Sequence, residues 1–284
     1  MEKIVVTTDF SENSKAGIRY AIQLASSRKA ALTFLHIHQV LRASFWNDEE
    51  YDHYIALDRQ KLMEEFPSFI SGIYESIQLT PPADLHLVVH HHLEVIEGII
   101  EYASEAGASY ICISTRGAGL IRKLFGTNTS KLIQTSTLPI ISVPGDYIPK
   151  PVESVLYATD MSNHEEELRE VVNFARPLNA SVMMLHLHYP HEQKLNEESL
   201  TTSLTSRFNY PIEVFSKERK VEDSIMDEIE EAVKESSPSI LALFSHQDRS
   251  FYERILLPGN AKEYSFHGST PLLSFPKARN EVTD

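Results

Sequence analysis

TTDFS at residues 7–11 returns as ATDMS at residues 158–162, and this recurrence decides how the chain is read. Asp9 corresponds to Asp160, an offset of 151. Two further landmarks recur in the same order. LHIH at 35–38 returns as LHLH at 185–188, an offset of 150, and LPIISVP at 138–144 returns as TPLLSFP at 270–276, an offset of 132. Collinear matches of this kind are the mark of an internal repeat. The smaller third offset makes the second copy about 18 residues shorter beyond its second strand.

Each copy reads as strands alternating with helices. In the first, KIVVTTD, ALTFLHIH, DLHLVVH, YICIST and PIISVP are short apolar runs rich in β-branched residues, the pattern of parallel strands buried on both faces. Between them, Ile18, Ala21, Ile22 and Ala25 recur at helical spacing, as do Ile96, Ile99, Ile100 and Ala103. In the second copy Ser162 and Glu165 form a capping-box pattern ahead of Leu168, Val171, Val172 and Ala175, and Ile225, Ile229, Ala232 and Val233 repeat the helical spacing. The fold expected is α/β, with two doubly wound five-stranded parallel sheets in a pseudo-twofold tandem. The domains are drawn at 1–146 and 152–278, with 145–153, GDYIPKPVE, as the linker. The length difference falls on a long helical insert from Asn47 to Glu75, whose counterpart between His191 and Asn209 is shorter.

A chain of 284 residues is long enough for two cored domains. Its net charge of −14 excludes a phosphate-backbone partner over most of the surface, although a single nucleotide needs only a local positive pocket. No apolar run reaches the ~20 residues of a membrane helix. The start, MEKIVVTTDF, lacks the features of a signal peptide, and the lone Cys112 has no disulfide partner, so a reduced cytoplasmic setting is expected.

Ligands of open parallel sheets bind beyond the carboxyl ends of the strands, where strand order reverses. The first strand ends in Thr8, Asp9 and Ser11. Asp9 suits two roles there: accepting hydrogen bonds from a ribose or base, or capping the next helix. The fourth strand runs into STRGAGLIRKLFGTNTSK, 114–131. Gly117 and Gly119 permit close backbone approach, and Gly126 with Thr127 opens a helix whose free amides form an anion site. Asn128 lies in the same turn, Thr129 adds a hydroxyl, and Arg116, Arg122 and Lys123 supply positive charge. Neither GxxxxGK[ST] nor GxGxxG is present.

The TDFS strand end, the LHI second strand, the loop ending in GTNT and the PIISVP final strand resemble the universal stress protein family in both halves of the chain. The resemblance implies an adenine-nucleotide alpha-hydrolase-like fold and a nucleotide-responsive stress protein. Its ligand would be ATP or a related nucleotide, with magnesium. Family members hold ATP through G-x2-G-x9-G-[ST], the aspartate after the first strand and a backbone contact from the second. Asp9 matches the aspartate, Ile37 falls near the base-contacting position, and Gly117, Gly126 and Thr127 match the loop. Ser114 replaces the first glycine, and eight residues, 118–125, stand where the pattern has nine. In the second copy Asp248, Pro258 and Gly259 replace the loop's binding positions, so a nucleotide is expected in the first copy alone. The resemblance also implies that PIISVP and PLLSFP meet between the copies as an intramolecular pseudo-dimer, and it leaves a homodimer open.

Three features carry alternatives. Histidines at 36, 38, 90, 91, 92, 186, 188 and 191 suit strand-end packing or solvent exposure better than a metal. Phe45, Trp46 and Tyr51 can form a lid, pack in the core or make a subunit contact. No GxSxG or HExxH is present, so a binding module is expected instead of a dedicated enzyme. A nucleotide-free scaffold whose 47–75 helix makes the contacts is the alternative, and slow ATP hydrolysis is a third.

Overall fold

The computed structural model describes residues 1–115, 127–189, 195–220, 225–245 and 270–276. The first half holds β1 (Lys3–Thr7), α1 (Ser14–Arg28), β2 (Ala31–His38), α2 (Asp48–Ser76), β3 (His86–His91), α3 (Val95–Glu105), β4 (Tyr110–Thr115), α4 (Thr127–Thr135) and β5 (Ile140–Pro144). The second holds β6 (Ser154–Thr159), α5 (His164–Ala175), a 3-10 turn (Arg176–Leu178), β7 (Ser181–His188), α6 (Glu197–Phe208), β8 (Ile212–Glu218), α7 (Ile225–Ser236), β9 (Ile240–Phe244) and β10 (Leu272–Phe275).

The described strands form one ten-stranded sheet in the order β3-β2-β1-β4-β5-β10-β9-β6-β7-β8. Every neighbouring pair is parallel except β5 and β10, which run antiparallel and join two five-stranded sheets edge to edge. Their register pairs Leu272 with Ser142, Leu273 with Ile141 and Ser274 with Ile140. Ile141 and Leu273 are corresponding landmarks, so the pairing maps onto itself about that central pair. The carboxyl ends of the two parallel sets consequently lie at opposite ends of the sheet.

The sheet separates two helix layers. Helices α1, α2, α5 and α6 bury Ile18, Phe66, Leu168 and Leu204 on the face that carries Ile4, Val6 and Phe34. Helices α3, α4 and α7 bury Ile99, Leu132 and Ile229 on the face of Val5, Leu35 and Ile111. Alternate strand residues serve opposite layers, which explains the near-continuous apolar runs.

The halves agree at their bends. Phe10 and Met161, just after β1 and β6, adopt left-handed φ of 62° and 68°, and Lys29 and Asn179 both have φ of 53°. They differ between the second and third strands of each set. Partners His38 and His91 are 53 positions apart, whereas His188 and Glu218 are 30 apart. Most of the excess is α2, with 29 residues against 12 in α6. Asn47 and Glu50 cap α2 reciprocally, each side chain accepting from the other's backbone N–H. The box expected from Ser162 and Glu165 does not form. Helix α5 begins after Asn163 with no side-chain cap, and the Ser162 N–H donates to Asp160 Oδ1 at 2.9 Å. Aspartate two residues upstream offers a closer acceptor than a glutamate across the first turn.

Candidate functional site

In the first half the chain runs from β1 outward through β2 to β3 and returns to the other side of β1 as β4. The cleft beyond β1 and β4 is therefore the point of strand-order reversal. Asp9 stands exposed there, directly after β1. Its Oδ1 accepts from the backbone N–H of Ser11 at 3.0 Å and from the Ser11 hydroxyl. Partial burial pushes its pKa up, but the two Ser11 hydrogen bonds and nearby His36 outweigh it, holding the carboxyl below its ordinary value. The group presents a fixed anionic acceptor at neutral pH.

The hydroxyls around it are committed to the turn. Thr8 Oγ1 lies 2.9 Å from Ser14 Oγ and accepts from the Phe10 N–H, and Ser14 Oγ donates to the Ser11 carbonyl at 2.8 Å. Thr8 is accordingly buried. Asp9 also ties itself to this turn and does not cap α1, where Asn13 makes no side-chain cap and the Ser14 N–H donates to Ser11 Oγ at 3.3 Å.

Ile37 lies on β2 beyond the last rung with β1, where the Thr8 N–H donates to the Leu35 carbonyl at 2.9 Å. In a parallel pair alternate residues bond to the same neighbour, so the Ile37 backbone faces the gap past the end of β1. Its side chain packs in the α3 and α4 layer. The start of α4, Thr127, comes to this carboxyl edge, with Asn128 exposed and Thr129 buried. Arg116, Gly117, Gly119 and Gly126, with Arg122 and Lys123, lie outside the described residues, as does the Thr127 side chain.

Ser114, which replaces the first loop glycine, turns toward α1. Its Oγ accepts from the Gly17 N–H at 2.7 Å and donates to the Ser14 carbonyl at 3.0 Å. Only glycine fits opposite it, since a Cβ on Gly17 would sit 2.5 Å from that oxygen. The replacement thus spends its hydroxyl on the helix contact. The corresponding place in the second half, by register, is Phe244, which stacks on Phe275 at 4.6 Å and meets Tyr157 edge-on at 5.8 Å. Asp160 keeps its turn there, while Asp248, Pro258 and Gly259 lie outside the described residues.

His36 is the residue whose role the sequence reading missed. Its Nδ1 donates to the Thr8 carbonyl at 2.8 Å, and His186 makes the matching 3.4 Å contact with Thr159. The LH-x-H recurrence therefore marks a tie from the second strand to the end of the first. Burial lowers the His36 pKa, with His38 adding to the effect. With the proton on Nδ1, the neutral ring leaves Nε2 as an acceptor. His38, buried beneath α2, binds Asp58 through Nε2 at 2.8 Å, and His91 bonds the His38 carbonyl. Among the described residues no three His, Cys, Asp or Glu side chains are placed to share a metal ion. Likewise, no described helix is long and apolar enough to cross a membrane.

Comparison with known proteins agrees with this architecture. The Universal stress protein family model matches residues 1–144. Stress response protein NhaX of Bacillus subtilis (strain 168) is 27% identical over 172 residues, covering 50% of this chain and 97% of the relative. Universal stress protein YxiE of the same organism is 26% identical over 147 residues, with the same coverage. A universal stress protein structure from Archaeoglobus fulgidus DSM 4304 has the same fold along the whole chain, with a TM-score of 0.68 at 13% identity, covering 96% of this chain and 98% of that one. With its family model spanning half of its length, this chain belongs to the universal stress protein family.

Proposed function

We propose that the chain binds an adenine nucleotide, ATP or a close relative, at the carboxyl edge of a first domain spanning 1–146, and acts as a nucleotide-responsive module in a stress response. The second domain, 152–278, serves as its structural partner. The observation that carries this reading is the meeting, on the carboxyl side of the β1–β4 reversal point, of the Asp9 carboxylate, the backbone of Ile37 beyond the last β1–β2 rung and the start of α4. An ionised carboxylate suits ribose hydroxyls, a backbone donor and acceptor suit the edge of a base, and helix amides suit phosphate. Asp9, Ile37 and the 127–129 turn would hold the nucleotide, and the loop 116–126 would complete the phosphate side. A binding role is favoured over catalysis because Thr8, Ser11 and Ser14 spend their hydroxyls on the turn. The Phe244–Phe275 stack favours an occupied first domain and an empty second one.

Calorimetric titration of the full chain with ATP and magnesium tests the proposal, with Gly126→Asp and Asp9→Ala run in parallel. Saturable heat in the parent, weakened at least ~tenfold in both variants while their melting curves stay cooperative, is the expected outcome. A parent that gives no heat overturns it, and phosphate release over hours separates binding from slow hydrolysis.

A further inference from the structure

Helix α2 has two unlike halves. Its second half is anchored by the buried Phe66, Ile70, Ile73 and Tyr74. Its first half has no buried residue and meets the sheet through one stripe, Tyr51, Ile55, Asp58 and Leu62. Tyr51 donates to the Val40 carbonyl at 2.9 Å, and Asp58 accepts from His38. A neighbouring stripe, Glu50, Tyr54, Leu57 and Lys61, is exposed along its length, Tyr54 and Leu57 at 43% and 41%. The loop before α2 extends this apolar surface. Trp46 stacks on Tyr54 at 4.2 Å with an interplanar angle of 12°, and Leu41 and Phe45 are 80% and 81% exposed. Exposed apolar side chains gathered on one helix and the loop before it, on a strongly acidic chain, point to an interaction surface.

The order of residues in the stripe points to the occupant. Turned end for end about the midpoint between Ile55 and Ala56, the stripe maps Glu50 onto Lys61 and Tyr54 onto Leu57. An antiparallel copy of the same helix would therefore set each acid against a base and each aromatic against a leucine. This is the self-complementarity that a twofold contact requires. Lys61 makes no ion pair among the described residues, and Glu50 uses Oε2 for the cap, leaving Oε1 available. The seam strands β5 and β10 already pair within the chain, so a second copy needs another surface. We propose that the first half of α2, with the Trp46–Tyr54 ledge, is the contact through which two copies of this chain associate, helix against antiparallel helix. One exposed stripe and its loop place the contact at the small end of specific interfaces, so the dimer is weak and reversible.

Sedimentation velocity of the full chain across a concentration series reads the association, expected with a dissociation constant of roughly tens of micromolar. Leu57→Asp raises that constant at least ~tenfold and leaves the far-UV spectrum unchanged, because the side chain is already 41% exposed. Register is read by oxidative cross-linking. A mixture of Tyr54→Cys and Leu57→Cys chains forms disulfide dimers faster than either variant alone, and the buried Cys112 stays silent. A chain that remains monomeric at about 200 μM overturns the proposal. So does a dimer indifferent to Leu57→Asp, or a mixture that cross-links no faster than its components.

Discussion

Arg28, at the end of α1, links the two halves, and Arg28→Ala should cost about 3 kcal/mol of stability. Its side chain is 2% exposed and grips Glu2 with two 2.6 Å hydrogen bonds, from Nε and Nη2. Nη1 donates to the Phe174 carbonyl on α5, and the guanidinium lies over the rings of Tyr110 and Phe174 at 5.3 and 4.9 Å. Breaking a fully buried pair costs about 3–5 kcal/mol, because the surviving charge loses its partner. Glu2 is 26% exposed, so water recovers part of that, and about 2 kcal/mol is the discounted share. The two ring faces and the Phe174 carbonyl add about 1 kcal/mol together. For a chain of this size, ~3 kcal/mol moves the urea midpoint by about 1 M. Unfolding is followed by far-UV circular dichroism and by fluorescence of Trp46, the only tryptophan. Arg28→Lys, which keeps the charge and loses the two-pronged grip, should fall between parent and alanine variant. A midpoint shift under ~0.2 M for Arg28→Ala would refute the reasoning, since the pair would then be no better than a surface bridge.

Gly17→Ala should destabilise by about 1–3 kcal/mol, although alanine is the better helix former, because the new Cβ would meet Ser114 Oγ at 2.5 Å and Ser114 N at 3.0 Å. Thermal melts check this, and a variant as stable as the parent would contradict the fitted contact. The depressed His36 pKa sets a pH dependence: the neutral ring is favoured in the native state, so its contribution is complete above 6.5 and declines as pH falls from 6.5 to the lower folded value. The loss of urea stability between pH 7.5 and 5.0 should therefore be smaller in His36→Gln, and an unchanged loss would count against the half-buried neutral imidazole.

Much of the fold was legible because parallel strands and their crossover helices are written locally. Apolar runs of five to eight residues mark strands buried on both sides, helical spacing marks the crossovers, and the 47–75 insert appears as α2 within a residue at each end. The Asp9 turn at the end of β1 was legible from its place after a strand. The failed Ser162–Glu165 box shows the limit of a local pattern, since competing acceptors such as Asp160 are ranked by geometry. The LH-x-H recurrence was visible but its meaning was not, because a histidine ring reaching a carbonyl 28 positions away leaves no periodic trace.

The sequence by itself determined the repeat, the alternation of strand and helix, and the placement of an acidic turn at the end of β1. Those properties depend on residues a few positions apart, where period and turn chemistry decide. Only the tertiary structure decided the antiparallel register in which β5 and β10 fuse the two sheets, that Ser114 faces Gly17 instead of the cleft, and that Arg28 ties α1 to α5. Each of these depends on residues roughly 97–146 positions apart, whose meeting is set by chain reversal and close packing around the whole sheet.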